Sequence, residues 1–190
     1  MVSKYGYALN GKLNLSTLVN FRTQLFNGYT FTDNSRILSS AFLSPAYILV
    51  SEGLDFKPSQ HFSIFVSPLT ARWVIVADDS LSAVGMYGVE PGTHSKNELG
   101  AFLSMNYQKE FNAIVGYVGR LELFSNYRNN PQNIDLFMTN LLSVKISKLI
   151  SITWNVDLIY DDDAKLFGPE KKSPALQVKS LVGAGLLFKF

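Results

Sequence analysis

The chain has 190 residues, with 17 Lys and Arg against 15 Asp and Glu, and a single compositional texture, so it reads as one domain, 1–190. The formal net charge of +2 is too mild to argue for a nucleic-acid partner, no Lys/Arg stripe appears, and the 47% share of hydrophobic residues excludes disorder. The absence of cysteine excludes disulfides, thiolate chemistry and Cys-based zinc sites.

Charged residues make up 17% of the chain, against about 25% in an ordinary soluble domain, so the surface is short of charge. No apolar run approaches the ~18 residues that a membrane-spanning helix needs. The opening M-V-S-K-Y-G-Y-A-L-N-G-K lacks the charged-then-apolar order of a signal peptide.

Along the chain the hydrophobic period is two. Successive strand side chains point to opposite faces, so alternation marks strands with one oily and one polar face. Residues 1–9 read as a partial strand, and Asn10 and Gly11 as a hairpin turn. In the next strand Leu13, Leu15, Val19, Phe21 and Leu25 oppose Lys12, Asn14, Ser16, Asn20, Arg22 and Gln24. Residues 27–40 read as a long loop. Strands at 41–56 and 61–76 are richer in apolar residues and hold Pro45 and Pro68, which predict a bulge or local irregularity because proline lacks a ladder donor. Glu52 falls on the apolar parity of its strand.

After a long loop at 77–94, Leu99, Ala101, Leu103, Met105 and Tyr107 oppose Glu98, Ser104, Asn106 and Gln108. Val115, Tyr117, Leu121 and Leu123 oppose Arg120, Glu122 and Asn126. Ile134, Leu136, Met138, Leu142, Val144 and Ile146 oppose Asp135, Thr139, Ser143, Lys145 and Ser147. Ile150, Ile152, Trp154, Val156, Leu158 and Tyr160 oppose Ser151, Thr153, Asn155 and Asp157. Finally Val178, Val182, Ala184, Leu186, Phe188 and Phe190 oppose Gln177, Lys179, Gly183, Gly185 and Lys189. No segment reads as a helix.

The same alternation describes two objects. A soluble lipocalin-like barrel turns the oily face inward around an apolar small molecule. A transmembrane barrel turns it outward to lipid. Three features favour the second. The polar face is thinly charged and is interrupted by Phe102, Phe124, Phe137, Ile159 and Leu187. Connections alternate: short at 10–11, 57–60, 109–112 and 147–149, long at 27–40, 77–94 and 162–174, with 129–132 intermediate, which is the outer-membrane plan. Several strands are long enough to cross a bilayer when tilted, and aromatics such as Phe56, Phe62, Tyr107, Phe111, Tyr127 and Tyr160 gather near strand ends, as interfacial girdles require.

The stretches S-P-A-Y-I-L (44–49), G-L-D-F-K-P (53–58), F-V-S-P-L-T (65–70), Y-G-V-E-P-G (87–92), S-N-Y-R-N-N-P-Q-N-I-D (125–135) and L-I-Y-D-D-D (158–163) together resemble a Bacteroidota-type family of outer-membrane β-barrels known only as a domain of unknown function. The end L-V-G-A-G-L-L-F-K-F is similar to the C-terminal assembly signal of such barrels, with Phe188 and Phe190 as its aromatic residues. The resemblance implies an exported protein of the bacterial outer membrane, with lipid and the barrel-assembly machinery as partners. It brings no catalytic residues. If Phe190 ends in the periplasm, counting back gives nine strands, whereas single-chain bacterial barrels have an even number. The expectation is therefore an all-β, up-and-down antiparallel transmembrane barrel of about 8–10 strands, with a signal peptide and at least one N-terminal strand missing; eight strands with a loose N-terminal tail is the rival.

The chemistry is sparse. His61 and Ser63 share a strand face, but no acid orients them. Asp161, Asp162 and Asp163 form an acidic cluster at the outer rim without the glycine and terminal glutamate of a calcium loop. No metal, cofactor or catalytic set emerges. The functional candidates are the charges expected to line the lumen: Arg22, Glu98, Arg120, Glu122, Asp135, Lys145 and Asp157. Mixed in sign, they either pair and plug a narrow interior or line the path of a small solute.

Overall fold

The computed structural model describes residues 1–32, 35–161 and 173–186. Its frame is one nine-stranded sheet, antiparallel throughout. The strands are β1 (Val2–Ala8), β2 (Leu13–Thr23), β5 (Ala46–Ser59), β6 (Phe62–Ile75), β7 (Ser95–Glu110), β8 (Val115–Asn126), β9 (Ile134–Lys145), β10 (Ile150–Tyr160) and β11 (Gln177–Leu186), in that spatial order. The remaining two, β3 (Gly28–Thr32) and β4 (Ser35–Ser40), make a separate hairpin.

Every strand expected from alternation is present, because period-two patterning commits each segment to one register against its neighbour. Three of the short turns use a common device. The side-chain oxygens of Asn10, Asn112 and Ser147 each accept two backbone N–H groups, from Lys12 and Leu13, from Ile114 and Val115, and from Leu149 and Ile150. A polar side chain thus substitutes for the backbone bonds that a tight reversal gives up.

Two expectations are corrected on the long-connection side. Residues 27–40 are not plain loop but hold the β3–β4 hairpin, where the Arg36 guanidinium lies 3.5 Å from the Tyr29 ring centre. Residues 77–94 hold a short helix, α1 (Asp79–Ala83), and a 3-10 turn at Met86–Gly88, although no helix was expected. Asp78 caps α1 by accepting from the backbone N–H groups of Ser80 and Leu81. Ala41, Val76, Leu81 and Val89 pack with Leu38, Met86 and Tyr87 as a second small core, so these segments fold together. The strand expected from residue 41 begins at Ala46, after a bridge between Ala41 and Ser44.

Pro68 sits in the expected irregularity. Pairing steps from Ser67–Phe102 to Thr70–Gly100, so two residues of β6 oppose one of β7. The hydroxyls fill the kink: Thr70 Oγ1 lies 2.8 Å from Ser51 Oγ, and Ser67 Oγ lies 2.7 Å from the Glu52 carbonyl. Gly53 stands opposite, where an added Cβ would meet the Val66 carbonyl oxygen at 2.2 Å. Past the bulge the inward parity of β6 switches from odd numbers (Phe65, Ser67) to even ones (Thr70, Arg72).

The sheet is rolled, because residues on distant strands touch across its concave face. Lys4 of β1 lies over Phe65 of β6 at 4.9 Å, and Arg22 of β2 over Phe137 of β9 at 5.2 Å. Among the described residues the roll is not closed: β1 pairs only with β2, and β11 only with β10.

The concave face is the polar parity. Ser16, Ser51, Asp55, Ser67, Thr70, Glu98 and Ser104 are buried there around Leu18, Phe65, Phe102 and Phe124. The aliphatic parity faces away. Leu15, Val19, Leu54, Val66, Trp154, Val178 and Val182 are all exposed, Val182 to 69%. A lipocalin-like interior would require the reverse.

Candidate functional site

The rolled sheet gathers most of the expected lumen charges into linked pairs. Arg72 is the hub. Its guanidinium pairs with Glu98 on the adjacent strand and reaches Asp135 two strands further on, Nη2 to Oδ2 2.8 Å, while lying 4.0 Å from the Phe124 ring centre. Lys96 Nζ adds a second cation to Glu98 at 2.9 Å, and the Glu98 side chain is only 1% exposed. Desolvation of that carboxylate is offset by two cations and a hydrogen bond from Asn126 Nδ2.

The other candidates divide. Arg120 and Glu122 pair with each other two residues apart on β8, and Asp157 meets Lys179 at 3.8 Å. Lys145 does not join the network. It is exposed at the short-turn end of β9, near Ser147 and Lys148. Asp161 lines the mouth of the interior. Asp162, Asp163, Phe188 and Phe190 lie outside the described residues. His61 donates through Nδ1 to the Gln108 carbonyl at 3.1 Å, which places its ring at a turn. Among the described residues no group of three His, Asp or Glu converges as a metal site.

Sequence reasoning missed Lys4, Asp55 and Arg72. Asp55 is 1% exposed and holds Lys4 Nζ at 2.9 Å and Lys57 Nζ at 3.1 Å. Arg72 escaped because the Pro68 bulge resets the alternation two residues before it. The proline itself was the available signal.

Toward the long-connection rim the interior opens into a cavity of about 330 Å³. Its floor includes Phe102 and Phe124, and its walls include Arg22, Tyr47, Leu49, Arg72, Asp135 and Phe137. Arg22 stands directly opposite Tyr47 in the β2–β5 register, and its Cζ lies 5.0 Å from the Tyr47 ring centre and 5.2 Å from that of Phe137. The inward cations Lys4, Arg72, Lys96, Arg120 and Lys179 each pair with a carboxylate. Arg22 is held by aromatic faces instead, and no described carboxylate pairs with it.

No family model matches the sequence, nor does any curated protein. Among solved structures, a NanC porin in a rhombohedral crystal form is similar to this chain at 9% identity and a TM-score of 0.43, over 98% of this chain and 78% of that one.

Proposed function

We infer that the chain forms the wall of a transmembrane β-barrel of the bacterial outer membrane, as its resemblance to that Bacteroidota-type family implies, with a non-enzymatic role as an envelope barrel or narrow solute channel. One observation carries the reading: exposed aliphatic side chains cover the convex face while serines, threonines and paired charges are buried on the concave one. That distribution is costly in water and favourable in lipid, where apolar groups need no burial and polar ones must find partners inside.

The alternation of β1 through β11 makes the first and ninth strands of the sheet run the same way. Pairing them directly would create the sheet's one parallel junction. A wall whose every junction is antiparallel needs an even number of strands, and closing it satisfies the edge groups that lipid cannot. Phe65, Phe102, Phe124 and the Arg72 cluster fill the middle of the interior, so solute enters the outer half more readily than it passes through.

The test is fractionation with gel mobility. Recovery in the outer membrane, dependence on detergent and a band that shifts on heating support the reading. A soluble monomer obtained without detergent overturns it.

A further inference from the structure

We propose that the rim cavity is a binding site for a small organic carboxylate with an apolar or aromatic body, and that Arg22 is the group that recognises its charge. The inference deepens the envelope-barrel reading by naming a solute class.

The cavity, about 330 Å³, falls in the size range of small-molecule sites. Its charge is not general. Arg72 and Lys96 together balance Glu98 and Asp135, and Arg120 balances Glu122, so these charges cancel within the wall, with Asp161 at the mouth. Arg22 differs, because its guanidinium is held between the rings of Tyr47 and Phe137 at 5.0 and 5.2 Å. No described group accepts a hydrogen bond from the Arg22 guanidinium, so its N–H donors are available for a two-pronged bond to a carboxylate. The rings, with Leu49 beside them, offer the same ligand an apolar surface. A cationic ligand would meet Arg22 with like charge.

The purified protein in detergent is titrated calorimetrically with benzoate, benzyl alcohol and benzylammonium. Benzoate is expected to bind at least about tenfold more tightly than the other two, the size of one charge-assisted hydrogen bond. Arg22→Gln, checked for folding by circular dichroism, is expected to abolish that preference, and Arg22→Lys to restore only part of it because an ammonium cannot match the flat fork. Leu49→Ala provides a second variant, expected to weaken benzoate by removing apolar lining while leaving the two rings that hold Arg22 unchanged.

Equal affinity for benzoate and benzyl alcohol, benzoate affinity unchanged in Arg22→Gln, or no benzoate binding by the folded wild-type protein would each overturn the proposal. The readout is independent of membrane insertion. Arg22-dependent benzoate binding by a protein that proves water-soluble would support this site while removing the outer-membrane reading.

Discussion

Arg72 on β6 and Asp135 on β9 meet across the interior, Nη2 to Oδ2 2.8 Å, although two strands separate them in the sheet. The contact exists because the sheet is rolled, and it ties the wall to itself through a charge pair at the level where the aromatic filling begins. With Glu98 as the second acceptor, Arg72 joins three strands, β6, β7 and β9.

Removing this hub leaves two carboxylates facing each other inside the roll. Arg72→Met is expected to destabilise the protein by about 3 kcal/mol in urea unfolding from lipid vesicles, the lower end for breaking a buried pair, since Lys96 still serves Glu98. The double variant Arg72→Met, Asp135→Asn should recover part of that loss, and simple additivity of the two changes would count against direct coupling.

The aromatic filling gives a second expectation. Phe124 is 4% exposed, belongs to the cluster with Leu18, Phe65 and Phe102, and lies under the Arg72 guanidinium. Phe124→Ala should cost about 3–5 kcal/mol as a large-to-small change in a packed site. It should also raise planar-bilayer conductance above that of the wild-type protein. Unchanged conductance in a folded variant would show that the rings do not obstruct the path.

The convex face separates lipid from water as its surroundings. Val19 pairs with Val50 near the middle of β2 and is exposed. Val19→Arg should cost about 2–4 kcal/mol in vesicles, the penalty for a basic residue near the bilayer midplane. Glu52 tests the same face with opposite sign. It is exposed at mid-strand and accepts a hydrogen bond from Thr17, so Glu52→Leu should stabilise the inserted protein. Equal stability of Val19→Arg and wild type would place this face in water.

On the rim, Asp78 carries a pH dependence. The Ser80 hydroxyl first, then the backbone N–H groups of Leu81 and Ser80, hold its carboxyl below the usual range. A depressed carboxyl stabilises the fold above its unfolded value, and this contribution is lost as pH falls through the folded value. Protection of the α1 amides, measured relative to the intrinsic exchange rate at each pH, should therefore fall on acidification. In Asp78→Asn, which keeps an acceptor without a titrating group, that loss of protection should vanish.

The order of elements was legible in the sequence because strand alternation is local. Leu15 and Ser16, or Trp154 and Asn155, declare opposite faces without reference to the rest of the chain. The position of Pro68 likewise announced a break in the ladder. The small core under Tyr87 was not legible, since Leu38, Val76, Leu81 and Val89 carry no period and come together only when two long connections pack against each other.

The sequence by itself determined that this protein is a run of antiparallel strands with an oily and a polar side, and, in the six strands of unbroken alternation, which residues lie on each. Only the tertiary structure decided which side is concave, that Arg72 rather than Lys145 joins the interior network, and that Arg22 rests between Tyr47 and Phe137. The physical reason is range. A side chain's face follows from its two chain neighbours, whereas its partner across the interior follows from the curvature of the whole sheet and from a single bulge that resets the count.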